Sequence, residues 1–366
     1  MSLPYLQPYL GLSNGLNTLH AAGPAGPAVG GWVELARTTL GSSGSTITVS
    51  SLSDKRYYMV LCNLIAGSGT PETEFRLNGD SGTNYLWRWS NNGGADGVPA
   101  AQNYMVNGTV GFSGNHLGVS YFANYSSKEK LQLGHAVNNG STGAGTAPNR
   151  NEYVGKWVNT SNPISQMQEV NLGGGGSSYA SGSELVVLGY DPLDSHTNNY
   201  WEELASVDLS GGANRYLSSG TFTTKKYLWI QTFLDYGSGS TLYGQLRVGN
   251  GSVDTGTNYS HRYSSNGGSD LTNTSIGYLP HAVNTLNSAG EGIFINTFII
   301  NNASNEKLMI NHITENYITT AGTAPARREE VAKWVNTSNQ INIVEYDGTS
   351  GHTFGTNSIM KVWGAD

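Results

Sequence analysis

The sequence predicts an all-β chain: two tandem antiparallel β-sandwich domains of jelly-roll type, preceded by an extended N-terminal arm. Three observations carry this. Charged residues are only 12% of the chain while Gly alone supplies 49 of 366 residues, a mixture poor in helix formers and rich in turn formers. Apolar or alternating runs of strand length (GSTITVSSL, YYMVLCNLI, EFRLN, NYLWRWS, ELVVLGY) lie between Gly, Asn, Asp and Ser clusters. Finally, most of the chain is written twice. GTAPNRNEYVGKWVNTSN from Gly145 returns as GTAPARREEVAKWVNTSN from Gly322.

The repeat extends well beyond that stretch. Trp32-Val-Glu-Leu-Ala returns as Trp201-Glu-Glu-Leu-Ala, and DSGTNYLWRWSNNGGAD from Asp80 returns as DTGTNYSHRYSSNGGSD from Asp254. EKLQLGH from Glu129 returns as EKLMINH from Glu306, and SELVVLGYD from Ser183 as SIMKVWGAD from Ser358. The drifting offset is what surface-loop insertions produce. The division is therefore an arm and Gly/Pro spacer over 1–30, a first sandwich over 31–191, and a linker with a second sandwich over 192–366. A propeller fits less well, since its period is nearer forty residues.

Composition excludes several classes. A net charge of −7 does not suit a nucleic-acid partner, which needs clustered Lys and Arg. No apolar run reaches eighteen residues, so no transmembrane helix is expected. The start, MSLPYLQPYLGLSNGL, has neither a basic leader nor an unbroken apolar core and does not read as a secretion signal. Cys62 stands in an apolar run and reads as a buried, inert thiol, consistent with folding in a reducing cytoplasm.

Alternation along each strand assigns faces. Arg150, Glu152, Val154 and Lys156 share one face and Tyr153 and Trp157 the other; Arg327, Glu329, Val331, Lys333 and Trp334 repeat this. The charged strip reads as a salt-bridged solvent face or a subunit contact, and Trp157 and Trp334 as core anchors. Tyr85, Trp87 and Trp89 form an aromatic row, matched by Tyr259, His261 and Tyr263. Such a row fills a core or stacks on a glycan, and core filling is the simpler reading. His135 and His312 read as hydrogen-bonded histidines at a core edge; neither has a ligand-spaced partner for a metal. Asp80, Asp96, Asp254 and Asp270 read as turn residues, not as a calcium loop. No catalytic residues, metal site or cofactor are expected.

The arm differs in character. Leu3, Tyr5, Leu6, Tyr9, Leu10 and Leu12 surround two prolines and precede a Gly/Pro/Ala spacer. An apolar peptide of this kind is expected to dock on a partner surface.

The combination GDSGTNY, EKL…H, AGTAP…KWVNTSN and SELVVLGYD, with its Gly189-Tyr-Asp-Pro192 close, resembles a module of structural proteins of tailed bacteriophages, especially phages of marine bacteria. The resemblance covers both repeats and implies a virion component assembled in the host cytoplasm, with no catalytic residues to carry over. The expectation is a non-enzymatic capsid decoration or surface protein, homo-oligomeric and anchored through its arm to the major capsid protein or other virion subunits. The alternative is a tail or fibre protein that binds host glycan through the aromatic row.

Overall fold

The computed structural model describes residues 28–29, 31–99, 101–108, 111–173, 175–192, 194–196, 199–239 and 242–366. Among these there is no helix. Each repeat forms a sandwich of one large and one small sheet. In the first, the large sheet runs Val33–Thr39, Glu184–Tyr190, Tyr57–Ser68, Asn115–Ala123, Lys130–Asn138, Asn149–Trp157, Tyr85–Asn91. The small sheet runs Thr46–Ser50, Gln166–Val170, Glu74–Leu77, Met105–Val106. Neighbouring strands are antiparallel.

The second repeat reproduces this order. Its large sheet runs Glu202–Asp208, Ile359–Ala365, Tyr227–Ser238, Gly292–Ile300, Lys307–Asn316, Ala326–Trp334, Tyr259–Ser265, and adds Leu271–Ile276 at the edge. The chain crosses between sheets repeatedly in both copies. Tight hairpins serve the outer strands: Asn92 and Gly93 (φ 51° and 68°) and Asn266 and Gly267 (φ 52° and 74°) both take the left-handed pair that a two-residue turn requires.

Within the first sandwich, Ile47, Val49, Phe75 and Met167 of the small sheet meet Tyr58, Val60, Leu64 and Phe122 of the large one. Most of the alternate residues on the same large-sheet strands do not face water. Met59, Leu61, Leu117 and Val119 pack against Phe298, Ile300, Leu308 and Ile310 of the second copy. The molecule is thus four layers deep, small–large–large–small, with three apolar interfaces. This explains the run YYMVLCNLI, apolar but for Asn63: a strand buried on both faces has no polar side to write.

The spacer is tied down at its end. Ala28–Val29 pairs with Ser195–His196 of the linker. The six arm residues Leu3, Tyr5, Leu6, Tyr9, Leu10 and Leu12 lie outside the described residues.

Candidate functional site

The repeated motifs are a mutual clasp. Trp157 is 1% and Trp334 2% exposed. Each indole N–H donates to the aspartate that opens the other motif, Trp157 to Asp80 at 2.7 Å and Trp334 to Asp254 at 2.8 Å. The same carboxylates accept from the backbone of Gly82 and Gly256 and from Asn84 and Asn258. Burial acts against ionisation, but these bonds outweigh it and hold both carboxyls below their ordinary value. The lysine of each EKL motif is buried. Lys130 donates to the carbonyls of Ser126, Lys128 and Asn159, and Lys307 to those of Ala303, Asn305 and Asn336. Asp-x-Gly-x-Asn, EKL and KWVN therefore recur together because each satisfies the next.

The aromatic rows are not open platforms. Tyr85, Trp87, Tyr259 and His261 are buried, and Trp89 and Tyr263 are half-buried. Tyr85 stacks on Trp157 in the core. Trp87 packs edge-on to Trp89 and against Tyr104. The glycan reading required a coplanar, solvent-facing row, and the pleat turns these rings toward the small sheet instead.

Part of the charged strip lies at the seam between the copies. Arg150 reaches across to Asp270 at 2.6 Å and also pairs with Glu152. Asp270 is therefore more than a turn residue. Lys333 is fully buried, donates to the carbonyl of Asn139 at 3.0 Å and pairs with Glu306 at 3.4 Å. Its counterpart Lys156 pairs with Glu129 in solvent. His135 and His312 touch edge to face across the seam at 4.4 Å. Burial, then the facing His312, then Arg150 lower His135 to about 3; burial and Arg150 lower His312 to about 4. Unfolded imidazoles take up protons near pH 6.5, while the folded ones stay neutral to pH 4. Their stabilisation is thus complete above pH 6.5 and is lost as pH falls toward 3–4. The wild-type melting temperature, compared with a His135→Asn/His312→Asn chain, is expected to drop progressively between pH 6.5 and 4. A pH-independent difference would mean that the histidines are not desolvated.

Each copy also encloses a polar cluster that the sequence reading missed. In the first, Glu169 accepts from Asn107 at 2.8 Å and the Glu74 amide at 3.0 Å, and the Cys62 thiol points at it from 3.6 Å. Burial pushes the Glu169 carboxyl well up, and burial with Glu169 does the same to the thiol. In the second, Glu330 accepts from Asn311 (3.0 Å), His261 Nδ1 (3.0 Å) and His281 Nε2 (3.1 Å). Asn273 donates to His261 Nε2 and the Tyr346 hydroxyl meets His281 Nδ1, so both nitrogens of each ring have a partner. Burial opposes the charge on Glu330, but the two imidazoles outweigh it and hold the carboxyl well below its usual range. The copies have exchanged partners: Tyr153 and Glu169 in one correspond to Glu330 and Tyr346 in the other. The cross-strand neighbour follows. Tyr153 lies over Gly134, where an added Cβ would meet its ring at 2.4 Å, whereas Glu330 faces Asn311. His261, His281 and Glu330 are wholly buried, so the cluster sits within the core.

Among the described residues, an apolar groove of about 850 Å³ lies open on the part of the first large sheet's seam-side face that the second copy leaves uncovered. Trp32, Tyr57, Tyr121, Leu131, Leu133 and Val154 line it. Leu131, Leu133 and Val154 are 55%, 51% and 50% exposed. Parity puts Leu131 and Leu133 on one face of their strand, and the pairing of Val154 with Leu133 brings the third beside them, but nothing in the sequence said which copy would leave them bare.

No protein-family model and no curated protein matches the chain. Among solved structures it is similar to domains LG4-5 of the mouse laminin alpha1 chain, at 12% identity over 91% of this chain and 89% of that one, with a TM-score of 0.20. It is also similar to Pseudomonas aeruginosa OccK11 (OpdR), at 10% identity over 87% of this chain and 99% of that one, with a TM-score of 0.12. At these TM-scores neither likeness carries an argument; the double sandwich stands on its strand pairings.

Proposed function

We propose that the chain is a non-enzymatic structural subunit of a tailed-phage virion, a capsid decoration or surface protein anchored through its N-terminal arm. The observation that carries this reading is the bare apolar face of the first sandwich, a surface suited to contact with another protein. Trp32, four residues beyond the first described one, sits on the rim of that face, so the arm joins the body beside a docking surface. The titratable clusters that could serve acid–base chemistry are sealed in the cores, which suits a scaffold. The partners on this reading are further copies of the same chain and the major capsid protein or other virion subunits.

The test is to purify virions carrying either the full chain or a chain lacking residues 1–30, and to locate the protein by immunolabelling. Label on the head that disappears with the arm is the expected result. Label on the tail would move the protein to a tail or fibre role. Unchanged label without the arm would remove the arm as anchor.

A further inference from the structure

The contact between the two sandwiches is not reciprocal. In the second copy, Leu308, Ile310 and Val331 are 0%, 2% and 1% exposed because the first copy covers them. Their counterparts are Leu131, Leu133 and Val154, the three most exposed apolar residues of the groove. The correspondence extends around the patch: Trp201, Tyr227 and Phe298 are at the covered interface, and Trp32, Tyr57 and Tyr121 line the groove. The first copy thus exposes the face by which the second copy is held.

The complementary half shows the same imbalance. The first copy covers its sister with a patch that includes Asn63, Leu117 and Glu184. Asn63 is cross-strand neighbour to both others. All three are buried; Asn63 meets Asn302, and Glu184 meets Lys226 and Tyr227. The matching trio in the second copy is Phe233, Phe294 and Ile359, joined by the same register. These are 37%, 44% and 38% exposed. Two buried polar residues have been replaced by a bare Phe and Ile. The two footprints share a central band, where His135 meets His312 and where Met59/Trp229, Tyr121/Phe298, Trp32/Trp201 and Leu188/Trp363 all pack in or against one cluster. Beyond that band they differ, with Leu117 and Val137 covered in the first copy and Leu308 and Val331 in the second, so the interface joins different parts of the two faces. A heterologous interface leaves one half open at each end of the chain, and open halves close on another copy.

We infer that the groove of one chain is covered by the second sandwich of another copy of the same chain, through Phe233, Phe294 and Ile359, giving head-to-tail assembly. The second copy carries Gln231, Asn296, Thr314 and Lys361 where the first has Leu61, Val119, Val137 and Val186, so the contact between chains is weaker than the one within the chain and is set by concentration.

The test uses two full-length variants at exposed positions, Leu133→Asp and Phe294→Asp, with mass measured by light scattering after gel filtration and folding checked by circular dichroism. The wild type is expected to associate and each variant alone to remain monomeric. An equimolar mixture is expected to form a one-to-one dimer and nothing larger, because each variant keeps one intact half. Loss of association in Leu133→Asp but not in Phe294→Asp would overturn the inference and point to another occupant, such as the arm. A wild type that stays monomeric at every concentration would overturn it too. Neither result bears on where the protein sits in a particle, so the virion reading stands or falls separately on the labelling experiment.

Discussion

Replacing Trp157 or Trp334 by alanine is expected to destabilise the protein by about 3–5 kcal/mol in denaturant unfolding. Both rings are almost fully buried between the sheets. Their removal leaves a cavity the size of an indole, and neighbours held in strands collapse into it only partly. Each indole also bonds the aspartate of the Asp-x-Gly-x-Asn turn and lies within 6 Å of a buried lysine ammonium. Trp→Phe restores most of the volume but not the hydrogen bond, so its cost should be smaller, about 1–2 kcal/mol. A cost below about 1 kcal/mol for alanine would show that the rings are not core and that the clasp does not hold the fold.

The second large effect is expected at Glu330. Glu330→Ala removes a carboxylate that accepts from three side chains with no access to water. It leaves His261, His281 and Asn311 with buried donors and no acceptor, and Arg328 without the charge 3.8 Å away. Breaking such a cluster from one side costs about 3–5 kcal/mol. At the matching position of the first copy, Tyr153→Phe keeps the ring over Gly134 and loses only the hydroxyl contacts to Asn107 and Ser120, a cost of about 1 kcal/mol. Comparable small losses at both positions would mean that Glu330 is hydrated or neutral in the fold.

Much of this architecture is legible in the sequence because its causes are local or repeated. Strand runs, turn clusters and the duplication give the two sandwiches. Parity gives the faces of Trp157, His135 and Leu133. What parity cannot give is what lies opposite a face. Tyr85 and Leu133 both sit on alternating strands; one meets a small sheet and the other meets solvent, and that depends on layers brought together from distant parts of the chain. The core clusters were hidden for a different reason. Glu169 and Glu330 stand at different positions in the two copies, so a search for what the repeats share passes over them. The paired change of Gly134/Tyr153 into Asn311/Glu330 was the available signal, since a cross-strand pair that changes together reports a contact.

Sedimentation velocity of the unmodified full-length chain, from dilute to concentrated solution, tests most directly the claim that the two open faces are halves of one interface. The account predicts a sedimentation coefficient that rises with concentration, and no rise for the Leu133→Asp chain. A single monomer boundary throughout would contradict it.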